Sequence, residues 1–225
     1  NLGGIFVPLG ITIDNYNNVY VTNTGLIENP FDQRYTVTKK VGQDWSVIAN
    51  RSIALGGFNT PSGITSDSSG IIYVTDEALY YVRKYVDGSW VDIGAGAANH
   101  PEEPTDIAVD SKGYVYVSSS DSIKVWDGAQ WLSAFRWPNG RITYLDTYYP
   151  TRITGMDVDS SGNIYIVDRA NNLVLKQQAP ASQLTWETQP GGGIGNVAWQ
   201  PANQPVLTLR DEFGRIETND SISTV

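Results

Sequence analysis

Few residues in this chain can do covalent or acid–base chemistry. It has no cysteine, which excludes thiolate nucleophiles, disulfides and thiolate zinc sites. It has one histidine, His100, in the segment AANHPEEP beside Glu102 and Glu103. A single imidazole leaves one candidate base and rules out a multi-histidine metal centre. Its place before a proline reads as a solvated loop position. Two acids, Asp106 and Asp157, stand where matching segments elsewhere carry Gly10 or Gly63 and Thr12 or Thr65. Such a pair could hold a divalent cation, calcium first, or bond backbone groups. The richest cluster is FRWPNGRITYLDTYY, from Phe135 to Tyr149. It brings Phe135, Trp137, Tyr144, Tyr148 and Tyr149 together with Arg136, Arg141 and Asp146. Aromatics and arginines are the types enriched in binding hot spots. Aromatic faces suit sugar rings or apolar side chains, and arginines suit carboxylates or sulfates.

The familiar catalytic patterns are missing. No G-x-S-x-G, H-E-x-x-H or G-x-x-x-x-G-K occurs. Gly191 to Gly195 is glycine-rich, but no helical pattern follows it, so a phosphate cradle is not expected there. The Asp-Ser-Ser-Gly turns lack the spaced ligands and terminal Glu of an EF-hand and read as turn caps.

With 15 Lys and Arg against 24 Asp and Glu, the net charge is −9, which argues against nucleic acid or an anionic membrane as partner. No apolar run approaches the roughly 20 residues of a membrane helix. The chain of 225 residues opens on Asn1 without a basic and apolar leader, and so reads as a processed or excised piece. Low lysine, no cysteine and much Thr, Ser, Asn and Tyr fit a bacterial surface or secreted protein.

The elements that must position these residues come from a repeat. Four segments align: PLGITIDNYNNVYVTN from Pro8, PSGITSDSSGIIYVTD from Pro61, PTDIAVDSKGYVYVSS from Pro104 and RITGMDVDSSGNIYIVD from Arg152. A degraded fifth copy starts at Gly195. The Asp closing the first run falls at Asp14, Asp67, Asp110 and Asp159, with Gln200 in the fifth, at intervals of 53, 43, 49 and 41 residues. Each copy reads as four short strands. In the second copy they cover Ile64 to Ser66, Ile72 to Thr75, Tyr81 to Tyr85 and a strand opened by Trp90, with a turn at 67–70. That tryptophan recurs at Trp45, Trp131 and Trp186, and a tyrosine recurs at Tyr20, Tyr73, Tyr116 and Tyr165. Recurrent aromatics are expected to pack between copies and to find partners for their polar tips. The fold expected is an all-β, five-bladed β-propeller of four-stranded antiparallel blades, a single domain over 1–225. The blades run approximately 1–48, 49–93, 94–134, 135–189 and 190–225.

The pattern P-x-G-I-x-x-D-x-x-G-x-I-Y-V-x-D resembles the NHL repeat, most clearly at Pro61 to Asp76 and Thr154 to Asp168. The spacers YVDGSWVDIGAG and KVWDGAQW look like those of bacterial extracellular propellers of the NHL or tachylectin-like kind. NHL propellers usually have six blades and tachylectin-like ones five. The resemblance implies a fold more than a function, since propellers host enzymes, lectins and scaffolds. Amidating-lyase-like members use several histidines around a metal, which one His cannot supply. Gluconolactonase-like members hold a cation in the central channel with acids and Asn, a part that Asp106 and Asp157 could fill only incompletely.

The leading expectation is a non-enzymatic extracellular binding module that presents one loop-built face to a protein or glycan. It would need no cofactor and would contact neither nucleic acid nor the membrane interior; it could be part of a larger multidomain surface protein. The alternatives are a lactonase- or lyase-like enzyme with a channel metal, and a structural or assembly repeat domain. Loops between second and third strands, and links between blades, leave a propeller on one face. The insertions Asn23 to Tyr35 and Phe135 to Tyr149 fall there, and the second is the expected ligand surface.

Overall fold

A computed structural model describes residues 7–24, 35–51, 57–119, 122–136, 141–144, 147–150, 153–160, 162–169, 172–177, 181–188 and 206–211. The chain divides into two compact units, Asn1–Lys176 and Gln177–Val225. Among the described residues every regular element is a β-strand.

The first unit is built from repeated antiparallel sheets. Blade 1 holds β1 (Pro8–Ile13), β2 (Val19–Asn23), β3 (Thr36–Val41) and β4 (Asp44–Ala49), paired in that order. Blade 2 holds β5 (Pro61–Ser66), β6 (Ile72–Asp76), β7 (Tyr81–Val86) and β8 (Ser89–Asp92). Blade 3 holds β9 (Asp106–Val109), β10 (Val115–Ser118), β11 (Ser122–Trp126) and β12 (Trp131–Arg136). A hairpin of β13 (Arg141–Tyr144) and β14 (Thr147–Pro150) follows. Blade 4 has three strands, β15 (Ile153–Val158), β16 (Ile164–Asp168) and β17 (Leu173–Gln177). The innermost strands lie side by side: β1 beside β5, β5 beside β9, and β9 beside β15. This is a propeller arrangement.

Alternation explains the packing. In blade 2, Ile64, Ile72 and Val74 face blade 1, where they join Tyr20, Val37 and Ala49 in one core. Tyr73 and Val82 face the other way and meet Ile107, Val115 and Val117 of blade 3. Each blade thus buries two faces only by having two neighbours. Ile64 and Ile107 are 6 % and 3 % exposed, whereas Ile11, at the same repeat position in blade 1, is 68 % exposed.

Small polar side chains bind the blades at their inner edges. Thr22 Oγ1 accepts the Gly10 N–H at 2.9 Å and donates to the Ser62 carbonyl of blade 2 at 2.7 Å. Ser62 Oγ donates to the Pro104 carbonyl, at the start of blade 3, at 3.1 Å.

The count of five blades is corrected: the described residues form four. The strand containing Trp186, expected as the fourth strand of blade 4, is β18 (Ala181–Thr188) and pairs with β19 (Val206–Asp211) instead. That ladder sets Leu184 opposite Leu209 and Trp186 opposite Leu207. Matching apolar pairs of this kind are the unit of sheet stability. The pair β18–β19 belongs to the second unit. Most of the degraded fifth copy lies outside the described residues. The segment from Phe135 to Tyr149, expected as a loop, is largely strand: Ile142 pairs with Tyr149 and Thr143 with Tyr148. Its β-branched and aromatic run favours a hairpin.

Candidate functional site

Two cavities are built by the repeat positions and by the loops between them. The first, of about 500 Å³, is lined by the inner strands β1, β5, β9 and β15. Asp106 and Asp157 both line it, as does Thr12. Asp106 occupies a glycine position of the repeat, and its backbone packs against Gly63: a β-carbon on Gly63 would stand 2.6 Å from Asp106 Cα. Asp106 Oδ1 accepts its neighbour's N–H, from Ile107, at 2.9 Å. Asp106 Oδ2 accepts the Met156 N–H of blade 4 at 2.7 Å. Burial pushes the Asp106 carboxyl up to about 6, against the two N–H donors that favour its charge, and Asp157 adds to the rise. Asp157 is exposed and accepts the Val158 N–H at 2.8 Å. The two acids therefore line one cavity between the inner strands, and one of them is committed to joining blades. No cluster of three or more His, Cys, Asp or Glu able to hold a metal occurs among the described residues.

The second cavity, of about 710 Å³, lies between blades 2 and 3. Three connections build it. Tyr80 comes from the β6–β7 turn, Ala97 to Glu103 from the β8–β9 link, and Ser119 from the β10–β11 turn; Ser122 and Lys124 of β11 complete the wall. These are the second-to-third-strand turns and inter-blade links, the connections that sequence reasoning placed on one functional face.

His100 is the main revision. It is half-buried, not a solvated loop residue. Its ring meets Trp131 edge-on, with centroids 5.7 Å apart and planes at 74°. Trp131, 1 % exposed, is anchored in the blade 2–blade 3 core and lies against Gly94 so closely that a β-carbon there would overlap it. The proline that follows His100 does not hold it in water; the tryptophan beneath pulls it in. Nδ1 is 2.9 Å from the Pro101 carbonyl, which can only accept, so Nδ1 carries the proton and Nε2 of the neutral ring is an acceptor. Burial holds the His100 pKa below its ordinary value, with the Pro101 carbonyl and Asp92 opposing. The ring is therefore neutral at pH 7.

The backbone around this cavity is unusual. Tyr80, Asn99 and Glu103 have φ of 57°, 59° and 47°, in the left-handed region. Asparagine tolerates it; tyrosine and glutamate pay roughly 1–2 kcal/mol. Ser119 and Ser122 are buried and bonded to each other through their hydroxyls at 2.7 Å. Lys124 Nζ donates to Ser133 Oγ at 3.0 Å.

The residues expected to bind ligand fall as follows. Phe135 and Arg136 end β12, Arg141 and Tyr144 bound β13, and Tyr148 and Tyr149 sit on β14. Trp137 and Asp146 lie outside the described residues, as does most of the insertion from Asn23 to Tyr35. The β13–β14 hairpin occupies the blade 3–blade 4 link, the counterpart of the link that carries His100. Sequence reasoning weighed His100, Glu102 and Glu103 but missed Tyr80, Asn99, Ser119, Ser122 and Lys124. Their only signal is position, since Tyr80, Asn99 and Ser119 stand in connections of the same face and Ser122 and Lys124 on the adjoining strand β11.

No protein-family model and no curated protein sequence matches this chain. Solved structures do. A gluconolactonase from Xanthomonas campestris is similar at a TM-score of 0.53 and 15 % identity, covering 72 % of this chain and 54 % of its own. Virginiamycin B lyase from Staphylococcus aureus is similar at a TM-score of 0.50 and 12 % identity, covering 77 % and 70 %. A structural-genomics protein of unknown function from Bacteroides thetaiotaomicron gives 0.57 and 13 %, covering 75 % and 46 %. The chain thus spans about half the length of the gluconolactonase it matches. Likeness at such identity concerns architecture alone. Together with the repeated four-stranded sheets, it makes this chain a β-propeller protein.

Proposed function

We propose that the chain is a non-enzymatic binding module, extracellular or at a bacterial cell surface, that presents its loop-built face to a glycan or protein. The observation that carries this reading is the convergence of three connections from two blades on one polar cleft of about 710 Å³. A volume of that order is typical of sites for small ligands or for one inserted side chain. The β13–β14 hairpin, whose sequence is rich in aromatics and arginines, belongs to a connection of the same kind, which supports the same reading. The test is a glycan array and a panel of extracellular-matrix proteins probed with the parent chain. Binding should vanish in a Trp137→Ala, Tyr148→Ala double variant that melts like the parent. Binding unchanged in that variant, yet lost in Ser68→Arg on the opposite turns, would overturn it.

A second reading is a channel-metal hydrolase or lyase, favoured by the shared lining of the inner cavity by Asp106 and Asp157. Calorimetric calcium binding that Asp157→Ala abolishes would move the assignment to that class.

A further inference from the structure

We infer that the cleft between blades 2 and 3 is a saccharide subsite sized for one or two pyranose rings; the inference rests on the binding-module reading above. Its lining carries both signs of charge. Glu102 and Glu103 bring carboxylates, Lys124 brings an ammonium, and Asn99 brings an amide that donates and accepts. His100 adds an imidazole that is neutral and keeps Nε2 as an acceptor. A cation entering this space meets Lys124, and an anion meets the two glutamates. A neutral polyhydroxyl ligand offends neither, because each hydroxyl can donate to a carboxylate or imidazole and accept from an amide or ammonium. Hydrogen bonds to charged partners are the stronger ones, so a few of them suffice to orient a sugar ring.

Tyr80 supplies the apolar part. It closes the turn between β6 and β7 with a φ of 57°, a position that glycine fills without strain. A tyrosine there is 46 % exposed and lines the cleft. A residue that strains the backbone and is only half covered is not explained by packing. Its flat ring suits the C–H face of a pyranose. Glu103 repeats the pattern, an exposed side chain at a φ of 47° that also lines the cleft.

The test is calorimetry with glucose, galactose, mannose, N-acetylglucosamine, maltose and lactose, each against the parent chain and two variants. At least one sugar should bind saturably at one site. Glu102→Gln with Glu103→Gln should weaken it about tenfold or more, as expected for losing charge-assisted bonds. Tyr80→Gly should weaken it at least fivefold, while its melting temperature stays level or rises by about 2–4 °C as the strain is relieved. No saturable heat with any of the sugars overturns the inference. So does saturable binding of arginine or acetate in place of sugars, which would make the cleft an ion site. Tyr80→Gly melting lower with unchanged affinity also overturns it. If an array ligand is lost in the hairpin double variant but keeps full affinity in both cleft variants, the binding face stands and this subsite fails. If both sets bind normally, both fail.

Discussion

The Tyr73 hydroxyl donates to Asp67 Oδ2 at 3.0 Å, tying the second strand of blade 2 to the turn that precedes it. The same bond recurs from Tyr20 to Asp14 at 3.0 Å, Tyr116 to Asp110 at 3.3 Å and Tyr165 to Asp159 at 3.1 Å. The other oxygen of each carboxylate gathers turn N–H groups: Asp67 Oδ1 accepts from Ser69 at 2.8 Å and Ile71 at 2.9 Å. Burial, the bond to Asp14 and its charge raise the Tyr20 pKa, so that hydroxyl stays a donor throughout the working range. The aspartate that ends each first strand is therefore a turn organiser held by a tyrosine.

Tyr73→Phe removes one donor from a half-buried carboxylate and should cost about 0.5–1.5 kcal/mol. Urea unfolding measures it. A cost below about 0.5 kcal/mol would mean that the ring alone holds the turn.

Gly63 and Gly155 share one repeat position but not one environment. A β-carbon at Gly63 would come within 2.6 Å of Asp106 Cα and 2.8 Å of Ile107 N, which are backbone atoms of the next blade. At Gly155 the nearest atom would be a Val167 methyl at 3.5 Å, an ordinary contact. Gly63→Ala should therefore destabilise by about 2 kcal/mol or more, an overpacking cost, and Gly155→Ala by less than about 0.5 kcal/mol. Equal thermal shifts in the two variants would contradict the blade 2–blade 3 packing.

The repeated part of the fold was legible because its physics is local. Ile72 to Asp76 is rich in β-branched and aromatic residues, and the Asp-Ser-Ser-Gly turn needs the positive φ of 81° seen at Gly70. Tyr20, Tyr73, Tyr116 and Trp131 are buried as recurrent aromatics should be. Half-buried Trp90 packs edge-on with Phe58 at 4.9 Å and donates to the Ile48 carbonyl of blade 1 at 3.1 Å, whereas the Trp131 Nε1–H is buried without a partner among the described residues. Partner choice was not legible. Trp186 reads equally well as a neighbour of β17 or of β19, since a strand's sequence names its two faces but not its edge. His100 was misjudged for a related reason. The tryptophan that draws it inward, Trp131, lies 31 residues further along the chain.

Asp106 gives the blade 3–blade 4 joint a pH dependence of known sign. Its folded pKa, about 6, exceeds the ordinary 3.8, so the folded state holds this proton more tightly than the unfolded chain does. Its contribution is fully present below about pH 4 and is lost as pH rises through about 6. The two-unit rise corresponds to about 1–3 kcal/mol, allowing for partial exposure. Asp14 acts in the opposite sense: burial would raise its pKa, but bonds from Asn18, Tyr16 and Tyr20 hold it below 3.8. The Asp106 effect is isolated by comparing the parent with Asp106→Asn from pH 4 to pH 7. The difference in stability between them should change across that window, and a constant difference would show that the carboxyl titrates normally.

Hydrogen exchange with and without a bound ligand tests the binding face most directly. With a ligand taken from the array or the sugar panel, protection should rise at Tyr80, Ala97, Asn99 to Glu103, Ser119, Ser122 and Lys124, which wall the cleft, and in the hairpin strands 141–144 and 147–150. Protection confined to the turns at 67–70 and 110–113, or to the channel strands around Asp106 and Asp157, would place the ligand elsewhere and contradict the account.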